Sequence, residues 1–380
     1  MKLFLSIFGF SLLWSKTFSA SCRTPLGIIS ECVSLYDCPQ LVGLLKQSPI
    51  SADAVHFLRQ SGCGFEGNTP KVCCGPLPSA SPQSTVRPRP NNNPDLSGNT
   101  ESSVGEDSEP SPRGECGLDN NEDRIFGGEA TDIDEFPWMA LLGYRTKMNS
   151  ITYQCGGVLI NHRYILTAAH CTVGEIEKVV GKLVSARLGE YDTRTEIDCL
   201  GQDCADAAVE VPVQAAYPHS GFSDKNVNRK DDIALVRLAK RVRYTSFIKP
   251  ICLAERRLRL TTGSSVYVAG WGKTLEGKNS PRKLKLSLPI FDKSECVAKY
   301  STLKAELTEG QICAGGEFAK DACRGDSGGP LMKKASSDDW ECVAVVSFGF
   351  GCGSDGWPGV YTSVAAYNDW IRQTMRSSNL

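Results

Sequence analysis

Asp321-Ala322-Cys323-Arg324-Gly325-Asp326-Ser327-Gly328-Gly329-Pro330 sets one hydroxyl among glycines, directly after a carboxylate and close behind a cysteine. Glycines let a backbone bend until two N–H groups point at one spot, and their missing side chains leave room for a carbonyl group to approach. A nucleophilic serine needs that frame. In a chain with 36 glycines a lone G-D-S-G can arise by chance, so the reading turns on whether the partners of such a serine are present.

A serine nucleophile needs a base within hydrogen-bond reach and a carboxylate to orient the base. The chain has only four histidines. His56 lies in a small cysteine-rich stretch, and His162 and His219 sit among loop residues, where solvation is expected. His170 ends Thr167-Ala168-Ala169-His170-Cys171, where small residues leave space around an imidazole and a cysteine can lock the turn. His170 is therefore the candidate base. In Asp231-Asp232-Ile233-Ala234-Leu235-Val236-Arg237-Leu238 an acid stands at the mouth of a buried strand; Asp232, beside the apolar run, is the better orienting carboxylate and Asp231 the more exposed residue.

The rest of the chain sets the context. A formal net charge of -1 gives no reason to expect nucleic acid or an anionic membrane surface as a partner. Seventeen cysteines without the paired spacings of zinc modules read as disulfides in an oxidising compartment. Met1-Lys2, an apolar run from Leu3 to Trp14 and small residues at Ser19, Ala20 and Ser21 read as a signal peptide over 1–20. A membrane anchor would need roughly 20 apolar residues, and Ser15-Lys16 interrupts too early, so no membrane span is expected. Residues 22–74 hold six cysteines (Cys22, Cys32, Cys38, Cys63, Cys73 and Cys74). So short a stretch buries little core, and three bridges would staple it, in any of about 15 connectivities. Residues 75–115, rich in Pro, Ser and Asn, cannot offset their ordering entropy by burial and read as a mobile tether. Residues 116–124 form a short segment before a globular part over 125–380. In that part Val/Ile/Leu/Tyr-rich runs at Trp138–Tyr144, Gly157–Ile160, Tyr164–Thr167, Ile233–Leu238, Ser265–Ala269, Cys342–Ser347 and Gly359–Thr362 alternate with turns. That is an all-β pattern. Val364, Tyr367, Trp370, Ile371 and Met375 recur at helical spacing over Ser363–Arg376.

Thr167-Ala168-Ala169-His170-Cys171, Asp232-Ile233-Ala234-Leu235 and Gly325-Asp326-Ser327-Gly328-Gly329-Pro330 resemble, in order, three signature segments of the chymotrypsin-like serine proteases, and Arg124-Ile125-Phe126-Gly127-Gly128 resembles the family's zymogen cleavage site. The resemblance implies a double β-barrel with a C-terminal helix and the triad His170, Asp232 and Ser327 in the cleft, with the N–H groups of Gly325 and Ser327 receiving an oxyanion. It also implies that a cut after Arg124 frees an Ile125 ammonium to pair with Asp326. Asp321 would stand at the base of the primary pocket and select Arg or Lys. Gly349 and Gly359 would leave that pocket open, and Ser347-Phe348-Gly349 would pair with substrate backbone. Phe348 and Phe126 depart from the residues usual at their positions. Cys155–Cys171, Cys296–Cys313 and Cys323–Cys352 are implied bridges, and Cys116–Cys252 would hold the N-terminal part after activation. Cys199 and Cys204 can close a small loop, which leaves Cys342, in an apolar strand, as a buried free thiol, with an intermolecular bridge as the alternative.

Residues 22–74 resemble a clip domain, which implies the pairs Cys22–Cys73, Cys32–Cys63 and Cys38–Cys74. Together the segments resemble arthropod clip-domain proteases of immune and developmental cascades, of the prophenoloxidase-activating or Easter-like types. That resemblance implies secretion into haemolymph and protein substrates such as a prophenoloxidase, a cytokine precursor or a downstream zymogen. It also implies an upstream activating protease and a serpin inhibitor. The alternative is a non-catalytic cofactor of such a cascade, a class in which the serine is replaced. Glu190-Tyr191-Asp192-Thr193-Arg194-Thr195-Glu196-Ile197-Asp198 clusters oxygen ligands suited to a structural Ca²⁺. The carboxylates of Glu190 and Asp198 and the carbonyls of Asp192 and Thr195 are the expected donors; the alternative is a solvated acidic loop. No cofactor is expected for catalysis.

Overall fold

The computed structural model describes residues 21–24, 28–45, 57–58, 61–66, 69–77, 107–119, 129–201, 203–273, 278–317, 325–351 and 353–378. Two compact units divide the chain, Met1–Gly98 and Asn99–Leu380.

In the first unit, β1 (Ser21–Arg23), β2 (Ile29–Ser34), β3 (Gly62–Glu66) and β4 (Thr69–Cys73) form an antiparallel sheet in the order β1-β2-β4-β3, with one helix, α1 (Pro39–Leu45). Its core is Cys38, Leu41, Phe57 and Val72. So few apolar side chains leave much of the constraint to covalent bonds, and Cys22–Cys73, Cys32–Cys63 and Cys38–Cys74 are closed. Adjacent Cys73 and Cys74 thus reach separate partners.

The second unit opens with β5 (Glu129–Ala130) and a barrel of β6 (Met139–Arg145), β7 (Ile151–Leu159), β8 (Tyr164–Thr167) and β9 (Lys182–Leu188). After α2 (Glu175–Val179) and β9 come the exposed hairpin β10 (Cys199–Leu200) and β11 (Asp203–Cys204), closed by Cys199–Cys204, and then β12 (Val209–Pro218) and β13 (Ala234–Leu238). The barrel closes in the order β12-β13-β8-β7-β6-β9. The remaining strands are β14 (Cys252–Leu253), β15 (Ser265–Gly270), β16 (Leu284–Pro289), β17 (Gln311–Gly315), β18 (Pro330–Lys334), β19 (Trp340–Phe348) and β20 (Pro358–Ser363). They run in the order β17-β20-β19-β18-β15-β16-β5, with β14 parallel to β19. The resemblance implies six strands in this second barrel. Six of the eight do curl round, and a bridge from Ile290 to Ala314 brings the end of β16 back to β17. α3 (Lys293–Ser301) and the closing helix α4 (Val364–Ser377) complete the unit. Val364, Ile371 and Met375 are buried, as their spacing requires, while Tyr367 and Trp370 are half-buried.

One boundary differs from the sequence reading. Residues 107–115, assigned to the mobile tether, lie against the protease unit. Asn161 Nδ2 donates to the carbonyls of Asp107 (3.0 Å) and Glu109 (2.8 Å). Ser111 N donates to Ile160 O (2.8 Å). Glu109 meets Arg372 and Arg376 of α4, Asp107 meets Arg241, and Arg113 meets Glu341. Composition gives a segment's own capacity for burial; here the burial is supplied by the partner surface. Cys116–Cys252 follows as a covalent anchor. Among the described residues no helix is long and apolar enough to cross a membrane.

Candidate active site

His170 lies in a single turn, Ala169–Cys171, just after β8, and Asp232 lies just before β13. The two strands are antiparallel neighbours with Ala234 opposite Thr167. A residue three beyond Thr167 and one two before Ala234 therefore meet at the same end of the barrel. Cys155–Cys171 ties the turn to β7, and Tyr144 donates its hydroxyl to Cys171 O (2.7 Å). Ala168 and Ala169, which lead into His170, are fully buried.

Asp232 has no exposed surface. Its Oδ1 accepts from His170 N (2.9 Å), and its Oδ2 accepts from His170 Nδ1 (2.8 Å) and from Ser347 Oγ (2.5 Å). A carboxylate only accepts, so Nδ1 carries the proton and Nε2 is left with a free lone pair. Burial pushes the Asp232 carboxyl up, but the charge and hydrogen bonds of His170, with the Ser347 hydroxyl, outweigh it and hold the carboxyl below its ordinary range. Ser347, read in the sequence only as a strand to pair with substrate, thus also holds the carboxylate.

Ser327 comes from the second barrel, in the turn that enters β18. Its carbonyl accepts from Gly156 N of β7 (2.8 Å) and lies 3.6 Å from Cys171 Sγ, so the serine stands beside the turn that carries His170. Cys155 and Cys171 flank the imidazole but are bonded to each other, which leaves no thiolate there for a metal. Gly328 N donates to Val346 O and Val346 N to Gly329 O, both 2.9 Å, which pins the turn to β19. Glycine is required at two points. A Cβ on Gly328 (φ 76°) would come within 2.2 Å of Thr167 Oγ1, and one on Gly325 (φ 107°) within 2.8 Å of Gly272 Cα. Among the described residues the N–H groups of Gly325 and Ser327 have no hydrogen-bond partner. Asp326 Oδ1 accepts from Gly272 N (2.9 Å), and a Cβ on Gly270 or Gly272 would approach the carboxylate oxygens to 2.3 Å. Gly270-Trp271-Gly272 is therefore a seat for Asp326, a role the sequence reading missed.

Gly349 follows directly on β19, and Gly359 lies in the adjacent β20, where Phe348 pairs with Val360. The structure brings these two expected pocket-wall positions together. Arg124, Ile125, Asp321 and the pair Cys323–Cys352 lie outside the described residues. Cys296–Cys313 is closed and Cys342 is a buried free thiol. His162 and His219 are less solvated than expected: His162 stacks on Tyr244 with ring centres 3.8 Å apart, and His219 packs on Tyr367 and Trp370.

In the acidic loop, Glu190 and Asp198 are buried. Glu190 accepts from Arg187 Nε (2.5 Å) and from Tyr191 N (2.9 Å), and Asp198 Oδ2 accepts from the backbone N–H groups of Tyr191 (3.0 Å) and Asp192 (2.9 Å). Burial first, and then the charge of Asp198, push the Glu190 carboxyl up against the pull of Arg187. Two buried carboxylates that repel one another fit a divalent cation. The Asp192 carbonyl fits less well, because it accepts from Thr195 N and Thr195 Oγ1; the Asp192 carboxylate is held by Arg194 and Arg282.

Residues 125–371 match the family described as Trypsin, and residues 22–74 match the regulatory CLIP domain of proteinases. The chain belongs to the trypsin family of serine proteases and carries a CLIP domain. It is 58% identical to phenoloxidase-activating enzyme 1 of Spodoptera litura, with 99% of each chain covered. It is 38% identical to phenoloxidase-activating factor 1 of Holotrichia diomphalia, with 96% of each covered. A crystal structure of the Drosophila Grass clip serine protease of the Toll pathway is similar over 95% of this chain and 98% of that one, with a TM-score of 0.60 and 29% identity.

Proposed function

We propose that this protein is a secreted zymogen which, once cut after Arg124, cleaves protein substrates after Arg or Lys in an extracellular cascade leading to prophenoloxidase activation. The observation that carries the reading is the 2.8 Å bond from His170 Nδ1 to fully buried Asp232. With Nδ1–H committed to the carboxylate, Nε2 can take the proton of Ser327 Oγ as the hydroxyl attacks a carbonyl carbon, and can return it to the leaving amine. The N–H groups of Gly325 and Ser327, which have no partner among the described residues, would receive the oxyanion. A cut after Arg124 would free an Ile125 ammonium to pair with Asp326, whose carboxylate accepts from Gly272 N in its glycine seat, and Asp321 would supply the charge that selects a basic side chain. The names of the two phenoloxidase-activating relatives support the cascade. Calcium held by Glu190 and Asp198 belongs to the same proposal; bound there it supplies positive charge between two buried carboxylates and takes no part in bond cleavage.

The test is to cut the purified protein after Arg124 and offer Arg- and Phe-based anilides, with Ser327→Ala in parallel. Turnover of the Arg substrate that vanishes in Ser327→Ala is expected. No turnover in the parent would favour the non-catalytic cofactor, and equal turnover of the Phe substrate would remove the assigned specificity.

A further inference from the structure

Asp232 ends a segment that the first barrel does not hold by itself. Between β12 and β13 the chain crosses Asn228, Arg229, Lys230 and Asp231, and two of these non-glycine residues, Arg229 (φ 41°) and Asp231 (φ 59°), have left-handed backbone. L side chains disfavour that region, and a backbone persists there only when its surroundings over-determine it. Within the loop, Asn226 accepts from Asn228 N and Arg229 N; the other surroundings are groups of the second barrel. Gln311, at the start of β17 and 1% exposed, donates its Nε2 to Asn228 O (2.8 Å) and lies 3.5 Å from Arg229 O. Its Oε1 accepts from Thr308 N (2.9 Å), which fixes which end of the amide faces the loop. Tyr367 of α4 donates to Asp231 Oδ1 (2.6 Å), reaching it across Gly310, where a Cβ would meet the hydroxyl at 2.8 Å. Thr362, paired with Gln311 across β17 and β20, donates to Asp232 O (2.9 Å).

We propose that Gln311 and Tyr367 are positioning residues that set the orienting carboxylate from across the barrel boundary, by gripping the strained segment Asn228–Asp231 at successive points. This rests on the triad assigned above. Neither residue reaches the imidazole. Each acts through the backbone that leads into Asp232, so its loss lets the carboxylate drift from His170 Nδ1, and small displacements in such a constellation cost rate steeply.

The experiment uses the full chain, cut after Arg124, carrying Gln311→Leu or Tyr367→Phe, with rates expressed per active site counted by a covalent serine-directed reagent. For a small Arg-based anilide, Gln311→Leu is expected to lower kcat about tenfold with KM unchanged, and Tyr367→Phe to lower it less. In histidine-labelled protein the proton resonance of His170 Nδ1–H, deshielded by its bond to Asp232, is expected to move upfield in both variants. Loss of thermal stability alone, with kcat per active site and that resonance at parental values, overturns the inference. If Gln311→Leu fails to fold, Tyr367→Phe, which removes one oxygen at a half-buried position, decides by the same two readings. A parent no more active than Ser327→Ala overturns the protease reading instead, and the Nδ1–H resonance of the variants still reports on the grip.

Discussion

Replacing Asp232 with Asn tests the centre of the site almost without changing its volume. The Oδ1 position faces His170 N–H, a backbone donor that cannot turn away. An asparagine must therefore place its carbonyl oxygen there, which swings its NH₂ to the position of Oδ2. That NH₂ then faces His170 Nδ1 and Ser347 Oγ. It donates to Nδ1, so the imidazole takes the other tautomer, with Nε2 protonated and no lone pair to accept the serine proton. The geometry survives and the base is lost. The expected cost in kcat is about 10⁴-fold, roughly 5.4 kcal/mol in the barrier. The assay is steady-state cleavage of an Arg anilide by the cut enzyme near neutral pH, normalised to total protein, with KM expected to change little. A rate within tenfold of the parent would refute the assignment of Asp232 as the orienting carboxylate.

Further expectations follow from buried groups. Because the folded state holds the Asp232 carboxyl below its ordinary range, its ionised form contributes stability that is complete above about pH 4 and is lost as pH falls below it; the difference in Tm between Ser327→Ala and Ser327→Ala/Asp232→Asn should shrink in that acidic window, and a difference that grows there would contradict the sign. Lys285 Nζ lies 2.8 and 2.9 Å from the two Glu135 oxygens, both side chains buried. Lys285→Met, made on Ser327→Ala to stop self-digestion, should cost about 3–5 kcal/mol and lower Tm by about 10 °C, with much of the loss recovered by adding Glu135→Gln; no recovery would show that the uncompensated carboxylate is not the cause. Burial pushes the Cys342 thiol well up, so a thiol reagent should label nothing in the native protein and one equivalent after denaturation without reductant; three equivalents would mean that Cys323 and Cys352 are not paired. Calcium should raise the melting temperature of the parent but not of Asp198→Ala, and identical melting of the parent with and without calcium would remove the site.

The ordered start of the protease unit bears on what an activation cut can release. Residues 107–119 are joined to the unit by Cys116–Cys252 and by bonds on both sides of it: Gly117 N to Pro250 O and Trp340 N to Gly117 O, each 2.9 Å, follow the disulfide, while the Asn161 and Ser111 contacts precede it. A Cβ on Gly117 would come within 2.4 Å of Trp340 O, so the backbone itself is seated. A cut after Arg124 falls beyond this seated segment. Such a cut would leave residues 107–119 joined to the protease unit by Cys116–Cys252.

How much of this was legible depends on the range over which each constraint acts. His170, Asp232 and Ser327 stood out as candidates because their neighbours in sequence carry the reason: alanines before the imidazole, an apolar strand after the carboxylate, glycines around the hydroxyl. The seven apolar runs correspond to β6, β7, β8, β13, β15, β19 and β20, and within those runs only Arg237, Ser265 and Tyr267 are not buried. Two of the strands that were missed are half-exposed. Val209–Pro218 carries two prolines and a mixed burial pattern, and Lys182–Leu188 is buried at only three of its positions, so neither shows a clean period. Gln311 and Tyr367 were illegible for a different reason. A glutamine opening a strand and a tyrosine on a helix face have no local sign of purpose; each acts on residues 80 or more positions away or, for Tyr367, still farther, through a loop whose left-handed backbone no composition announces. Sequence therefore exposes groups chosen for their reactivity, and structure is needed for groups chosen for where they stand.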